Sequence, residues 1–175
     1  ANLVAASQDA KKELGDRQND MDIVFTVERP LVEYLQSQFR SVGLDAGIWS
    51  DGKRQLDRPI VIGTIDAPQH NMNNLSRLLP LDRISLVIGD EADKYLTPQR
   101  KQIISLLSEK GIRAGFTATD HWPDGRNVSD LWGEKIDYIS LREGILKGLN
   151  TPPLFYLYEA NINEESLKID RGDYD

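Results

Sequence analysis

Apolar positions along this chain fall into two kinds of run that take turns. Compact runs such as Ile23-Val24-Phe25-Thr26-Val27, Pro59-Ile60-Val61-Ile62-Gly63 and Ile84-Ser85-Leu86-Val87-Ile88 are apolar nearly throughout. Between them the apolar residues thin out to helical spacing. Leu31, Leu35 and Phe39 recur every fourth residue, and Ile103, Ile104, Leu106 and Leu107 follow Thr97-Pro98. The compact runs predict strands and the spaced runs predict helices. Four shorter strands are predicted at Ala46-Gly47-Ile48-Trp49, Ala114-Gly115-Phe116, Ile136-Asp137-Tyr138-Ile139 and Leu154-Phe155-Tyr156-Leu157-Tyr158. Three more helical stretches are expected over residues 2–15, 67–79 and 141–146. Pro30 sits where a first-turn proline is tolerated, and Gly43 and Gly111 mark helix ends.

Strands that are apolar at every position belong to a sheet covered on both faces, and helices between them supply the crossovers that parallel strands need. The expected fold is therefore an α/β domain of three layers with a mainly parallel sheet. In such sheets ligands bind beyond the C-terminal ends of the strands. The residues after each strand are where chemistry is sought.

Composition narrows the picture further. A chain of 175 residues fits one domain of ordinary size, and 39% hydrophobic residues suffice for its core. No apolar run approaches the roughly 20 residues that span a bilayer. With no Cys, neither a disulfide framework nor a thiolate metal site can form. A cytoplasmic protein is expected. The net charge of −7 argues against a freestanding nucleic-acid binder, although a groove can be basic on an acidic body.

The strand ending at Ile88 delivers Gly89-Asp90-Glu91-Ala92-Asp93 into a turn. An acidic pair placed there can hold a hydrated Mg²⁺ through one carboxylate and orient or deprotonate a water with the other. The plainer alternative is a solvated acidic turn that caps the next helix. The neighbouring strand ends favour the first reading. Gly115-Phe116 runs into Thr117-Ala118-Thr119, the strand from Ile23 into Val27-Glu28-Arg29-Pro30-Leu31, and the strand from Ile60 into Gly63-Thr64-Ile65.

Taken in order, these segments resemble motifs Ia, Ib, II and III of the superfamily 2 helicases and translocases. Asp90-Glu91-Ala92-Asp93 looks like the DEAD box, or Walker B motif, and Thr117-Ala118-Thr119 like motif III. The later stretch through Asp124-Gly125-Arg126, Asp130-Leu131-Trp132-Gly133-Glu134 and Tyr138-Ile139-Ser140-Leu141-Arg142-Glu143-Gly144-Ile145 is similar to the type III restriction and excision-repair-like branch. The resemblance runs over about residues 21–153 and implies a first RecA-like motor domain, acting with ATP and Mg²⁺ on nucleic acid, with DNA expected.

By residue, the resemblance implies that Asp90 holds the Mg²⁺ of Mg-ATP through water and that Glu91 positions the attacking water as catalytic base. Thr117 and Thr119 would couple the nucleotide site to the nucleic-acid groove, with Asp93 as hydrogen-bond partner. Arg29 and Thr64 would touch the sugar-phosphate backbone, which a guanidinium and a hydroxyl suit chemically. The plain readings are an exposed helix-start arginine and a helix cap.

The chain also departs from the family pattern. No Gly-x-x-x-x-Gly-Lys-Ser/Thr phosphate loop occurs in it. A helical stretch directly after Ala1 matches the helix that follows such a loop, so the expectation is a piece beginning just past it. Gly89 stands where an apolar residue is commoner, Asp120 where the branch usually has Pro, and Glu28 beside the expected phosphate path. Residues 1–160 are expected to form the RecA-like domain and 161–175 an acidic connection to a second RecA-like domain. His70 and His121 are read as ordinary surface residues, Lys53, Arg54 and Arg58 as a solvated loop, and Trp122 as a loop anchor. Two alternatives stand beside the motor: a motor-dead RecA-like scaffold that binds proteins, and a flavodoxin-like phosphoryl-transfer domain that uses Asp90 alone.

Overall fold

The computed structural model describes residues 20–120, 122, 124–154, 169–170 and 173–174. The chain divides into two compact units, Ala1–Lys135 and Ile136–Asp175.

The first unit is built on a six-stranded sheet. Its strands are β1 (Met21–Thr26), β2 (Ala46–Ser50), β3 (Lys53–Arg54), β4 (Ile60–Thr64), β5 (Ile84–Asp90) and β6 (Ile112–Phe116), in the spatial order β3-β2-β4-β1-β5-β6. All neighbours pair in parallel except β2 and β3, which form an antiparallel hairpin. All six residues of β1 are buried because the strand lies inside the sheet with helices on both faces.

Side-chain alternation distributes each strand between two apolar layers. Ile23, Phe25, Val61 and Val87 enter one core with Ile103, Ile104 and Leu107. Val24, Ile60, Ile62, Leu86 and Ile88 enter the other with Val32 and Phe39. The second layer is supplied by helix α1 (Arg29–Ser41). The first is covered by α2 (Asp66–His70), α3 (Leu75–Leu78), α4 (Pro98–Leu107) and α5 (Ser129–Trp132). Each fully buried Ile or Phe contributes about 1.5–3 kcal/mol relative to exposure. This is the three-layer α/β architecture with a mainly parallel sheet that the alternating runs predict.

Two local expectations are corrected. The helix predicted over residues 67–79 is broken into α2, a 3₁₀ turn at Met72–Asn74 and α3. Asn71 causes the first interruption: its side-chain amide donates to the Ala67 carbonyl at 2.7 Å, offering the backbone a local alternative to a continued helix. The strand predicted at Ile136-Asp137-Tyr138-Ile139 does not form. Ile136 is fully exposed and Tyr138 and Ile139 are exposed too, so these apolar side chains meet no core that would hold them extended. The hairpin β2–β3 was not foreseen, although its turn is Asp51-Gly52 with both φ values positive, the geometry of a tight hairpin.

In the second unit, α6 (Leu141–Leu146) matches the expected helix. Ser140 caps it by accepting from the Glu143 amide at 3.2 Å, as the Ser-x-x-Glu spacing favours. A short antiparallel pair, β7 (Ile169–Asp170) and β8 (Asp173–Tyr174), follows. The helix expected over 2–15, His121, residues 155–158 of the last predicted strand and most of the 161–175 connection lie outside the described residues. Among those described, no helix is long and apolar enough to cross a membrane.

Candidate functional site

Parallel pairing brings the C-terminal ends of β1, β2, β4, β5 and β6 to one edge of the first unit. Thr26 pairs with Thr64 across β1 and β4, and Asp90 with Phe116 across β5 and β6. The residues singled out by sequence therefore form two groups along this edge. Asp90, Glu91, Asp93, Thr117 and Thr119 lie around β5 and β6, while Arg29 and Thr64 lie near β1 and β4.

The acidic turn has an unusual backbone. Glu91 adopts the left-handed conformation, φ 51° and ψ 56°, which costs a non-glycine residue about 1–2 kcal/mol. The only other described non-glycine residue with positive φ is Asp51, at the end of β2 on the same sheet edge. The reversal at Glu91 starts a 3₁₀ turn, Ala92–Tyr95, in which the Lys94 amide donates to the Glu91 carbonyl at 2.8 Å. Glu91 itself remains exposed and Asp90 half-buried, while Asp93 is turned inward to 4% exposure.

That buried carboxylate is fully engaged. The Thr117 hydroxyl donates to Asp93 Oδ1 at 2.6 Å, and Lys94 Nζ lies 3.3 Å from Oδ2. Thr117 Oγ1 in turn accepts from the Thr119 amide at 3.0 Å. The turn after β5 and the loop after β6 are thus tied by a side-chain bond, in which Thr119 takes part through its backbone. The exposed Thr119 side chain is not part of this link.

A second tie was not read from the sequence. Gly89 and Gly115 are paired directly across β5 and β6, and the Trp132 indole lies against both. A Cβ at Gly89 would come within 2.5 Å of the indole, and one at Gly115 within 2.7 Å. Trp132 Nε1 donates to the Ala92 carbonyl at 3.1 Å, and its ring meets Tyr95 edge-on at 5.6 Å. The glycine that departs from the family pattern is therefore a flat seat for an aromatic ring. A glycine at the end of each of two neighbouring strands, one or two residues before each motif, with a tryptophan further on, was the available signal. Burial, and secondarily the charge of Asp90, push the Tyr95 hydroxyl well above its ordinary pKa.

Trp122 packs against the same core, as expected for a loop anchor. Its ring is flanked by Lys94, 5.3 Å from the centroid, and by Arg126 at 4.8 Å. Arg126 is held by Asp124 at 2.7 Å, a contact that draws the Asp124 carboxyl below its usual range.

Two clefts open on this edge. The first, of about 460 Å³, lies between the ends of β1 and β5 and is lined by Thr26, Glu28, Leu31, Asp90, Glu91 and Lys94, among others. Three carboxylates against one ammonium favour a cation there. Among the described residues no group of three or more His, Cys, Asp or Glu is arranged to hold a metal directly. The donor set fits a hydrated ion reached through water, and no described segment carries the phosphate-loop sequence. The second cleft, of about 290 Å³, lies between the ends of β2 and β4, with Arg29, Ser50, Lys53, Arg54 and Thr64 in its lining.

The fold is similar to that of the Pyrococcus furiosus Hef helicase domain, seen in its crystal structure, with a TM-score of 0.58 and 16% identity over 75% of this chain. The shared feature is a helicase-like RecA fold. This chain spans 30% of the length of that structure. No family model matches the sequence, and no curated protein matches it.

Proposed function

We propose that this chain is part of the motor domain of an ATP-dependent nucleic-acid helicase or translocase, of the type III restriction and excision-repair-like branch. The observation that carries the reading is the Asp93–Thr117 bond, which joins the acidic turn to the next strand end in a RecA-like sheet. In this reading Asp90 holds Mg²⁺ through water, and Glu91, exposed at the mouth of the 460 Å³ cleft, positions the attacking water. Mg-ATP supplies the phosphoanhydride when bound. Arg29 and Thr64 face the nucleic-acid backbone, with DNA as the proposed partner, and a second RecA-like domain completes the site. The proposed location is cytoplasmic.

The test uses two proteins. The 175-residue chain alone should bind ATP weakly and show no hydrolysis stimulated by nucleic acid. A longer protein with a Gly-Lys-Ser/Thr loop encoded upstream of Ala1 should show both, and Glu91→Gln should abolish its turnover. Robust turnover by the short chain, lost in Glu91→Gln, would show that these residues hydrolyse ATP without the Gly-Lys-Ser/Thr sequence. The scaffold alternative is favoured by one observation, the exposed apolar residues Ile112 and Phe116 on β6, the edge strand among the described residues. A longer protein with no ATPase activity that still binds partners through that edge would establish it.

A further inference from the structure

The turn after β5 is also held from the end of β4. On α4, Arg100 donates from Nη1 to the Lys94 carbonyl at 2.9 Å, and its Nη2 lies 3.4 Å from Asp66 Oδ1. Asp66 is the first residue of α2, two past Thr64 at the end of β4. Strand β1 separates β4 from β5 in the sheet, so Arg100 spans two strand ends that are not neighbours.

Contacts around the acidic turn extend that span. Lys94 Nζ meets Asp93, and Asp93 accepts from Thr117. Asp66, Arg100, Lys94, Asp93 and Thr117 thus form one polar run that joins the ends of β4, β5 and β6. Its bridging member suits the task. A planar guanidinium donates to two acceptors in fixed directions, which an ammonium cannot do. The Arg100 side chain is 28% exposed, so water and salt screen its ion pair less than a fully exposed one.

Arg100 takes hold where the backbone is under strain. The Lys94 amide donates to the Glu91 carbonyl, and the Lys94 carbonyl is the one that Arg100 holds. The turn that opens at the positive φ of Glu91 is therefore pinned at its far end. A strained conformation persists only where its surroundings over-determine it, so a shift of this tether acts on Glu91.

We propose that Arg100 is a positioning residue that makes the Glu91 turn answer to the end of β4. When a nucleic-acid strand engages Thr64, the start of α2 shifts, and Arg100 carries that shift to the Lys94 carbonyl and so to Glu91. The inference rests on the nucleic-acid reading of Thr64. It adds a route separate from the Asp93–Thr117 bond, which joins only the ends of β5 and β6. Networks of hydrogen bonds and ion pairs can carry such coupling, and a measured coupling is what establishes it.

The experiment is a titration of the full chain with a short single-stranded DNA oligonucleotide at low salt, followed by two-dimensional NMR. Arg100→Gln, Asp66→Asn and Gln99→Ala are compared with the parent. Gln99 accepts from Gln69 at 2.6 Å, a second tie between α2 and α4 that is not part of this polar run. In the parent the oligonucleotide should shift the Thr64 and Asp66 amides and, further away, those of Glu91 and Lys94. Arg100→Gln should keep the Thr64 shift and lose the distant ones. Asp66→Asn leaves the bond to the Lys94 carbonyl in place but weakens the hold on α2, so it should reduce the distant shifts. That exposed substitution decides the matter if Arg100→Gln does not fold. Gln99→Ala should keep every shift. Distant shifts that persist unchanged in Arg100→Gln or in Asp66→Asn would overturn the inference. Their loss in Gln99→Ala as well would reduce Arg100 to general packing of α2 on α4, and overturn it too. Shifts at Thr64 but none at Glu91 and Lys94 in the parent would overturn it while leaving the nucleic-acid reading intact. No binding by the parent would overturn both.

Discussion

Asp93 and Thr117 are joined by a 2.6 Å hydrogen bond although they belong to different strand ends, one in the turn after β5 and the other in the loop after β6. Because Asp93 is buried, removing its donor leaves a carboxylate supported by Lys94 alone.

Thr117→Val should therefore destabilise the first unit by about 1–3 kcal/mol, the cost of stranding a buried acceptor. Thr117→Ser should recover most of it. Urea unfolding of Thr117→Val, Asp93→Asn and the double variant measures the coupling. Strictly additive effects would mean that the bond carries no net energy.

The seat of Trp132 gives a steric prediction. Gly89→Ala places a methyl group where the indole now lies, and it should cost at least about 1–3 kcal/mol, as overpacking does. Trp132→Ala should cost about 3–5 kcal/mol. Their combination should cost clearly less than the sum, because the methyl then fills space that the ring has vacated. Thermal unfolding of the three variants decides it.

Alkaline stability should depend on Tyr95. Its folded-state pKa is raised, mainly by burial, so the folded protein keeps a proton that the unfolded chain begins to release near pH 10. Between those values the unfolded state binds fewer protons, and stability falls as pH rises. Below about pH 9 the effect is absent. Tyr95→Phe should flatten the alkaline fall. It should not lower stability near pH 7, since the hydroxyl it removes is buried without a hydrogen-bond partner among the described residues. Urea midpoints at about pH 7 and about pH 10.5 test both statements.

Glu91 offers a separation of stability from activity. In the left-handed conformation glycine escapes the Cβ penalty, so Glu91→Gly should be more stable than Glu91→Ala, by up to about 1 kcal/mol. That reverses the ranking expected in ordinary backbone. If alanine is the more stable of the two by calorimetry, the backbone at this position does not hold the positive φ.

The sheet was legible because β1, β4 and β5 are apolar on both faces, a pattern that only a doubly covered strand satisfies. The acidic turn and Thr117 were legible as residue strings, but their bond was not. Asp93 reaches Thr117 because Glu91 reverses the chain, and nothing in the letters Asp-Glu-Ala-Asp marks a positive φ. Trp132 was missed for a different reason: its role depends on the pairing of Gly89 with Gly115, which exists only once the register is set. The run at residues 136–139 misled because apolar content predicts burial only where a partner surface exists, and there Ile136 has none.

Strand β6 has a consequence for how the protein behaves in a test tube. Among the described residues it closes the sheet order, and its residues Ile112 and Phe116 stay exposed. An unpaired strand edge is a template for another strand, and proteins commonly blunt such edges with charge. Arg113 is the single charge on β6. At high concentration the isolated chain should accordingly associate through this strand, giving light scattering that rises with concentration and temperature. Ile112→Lys would be the first substitution to make when soluble, monomeric material is wanted.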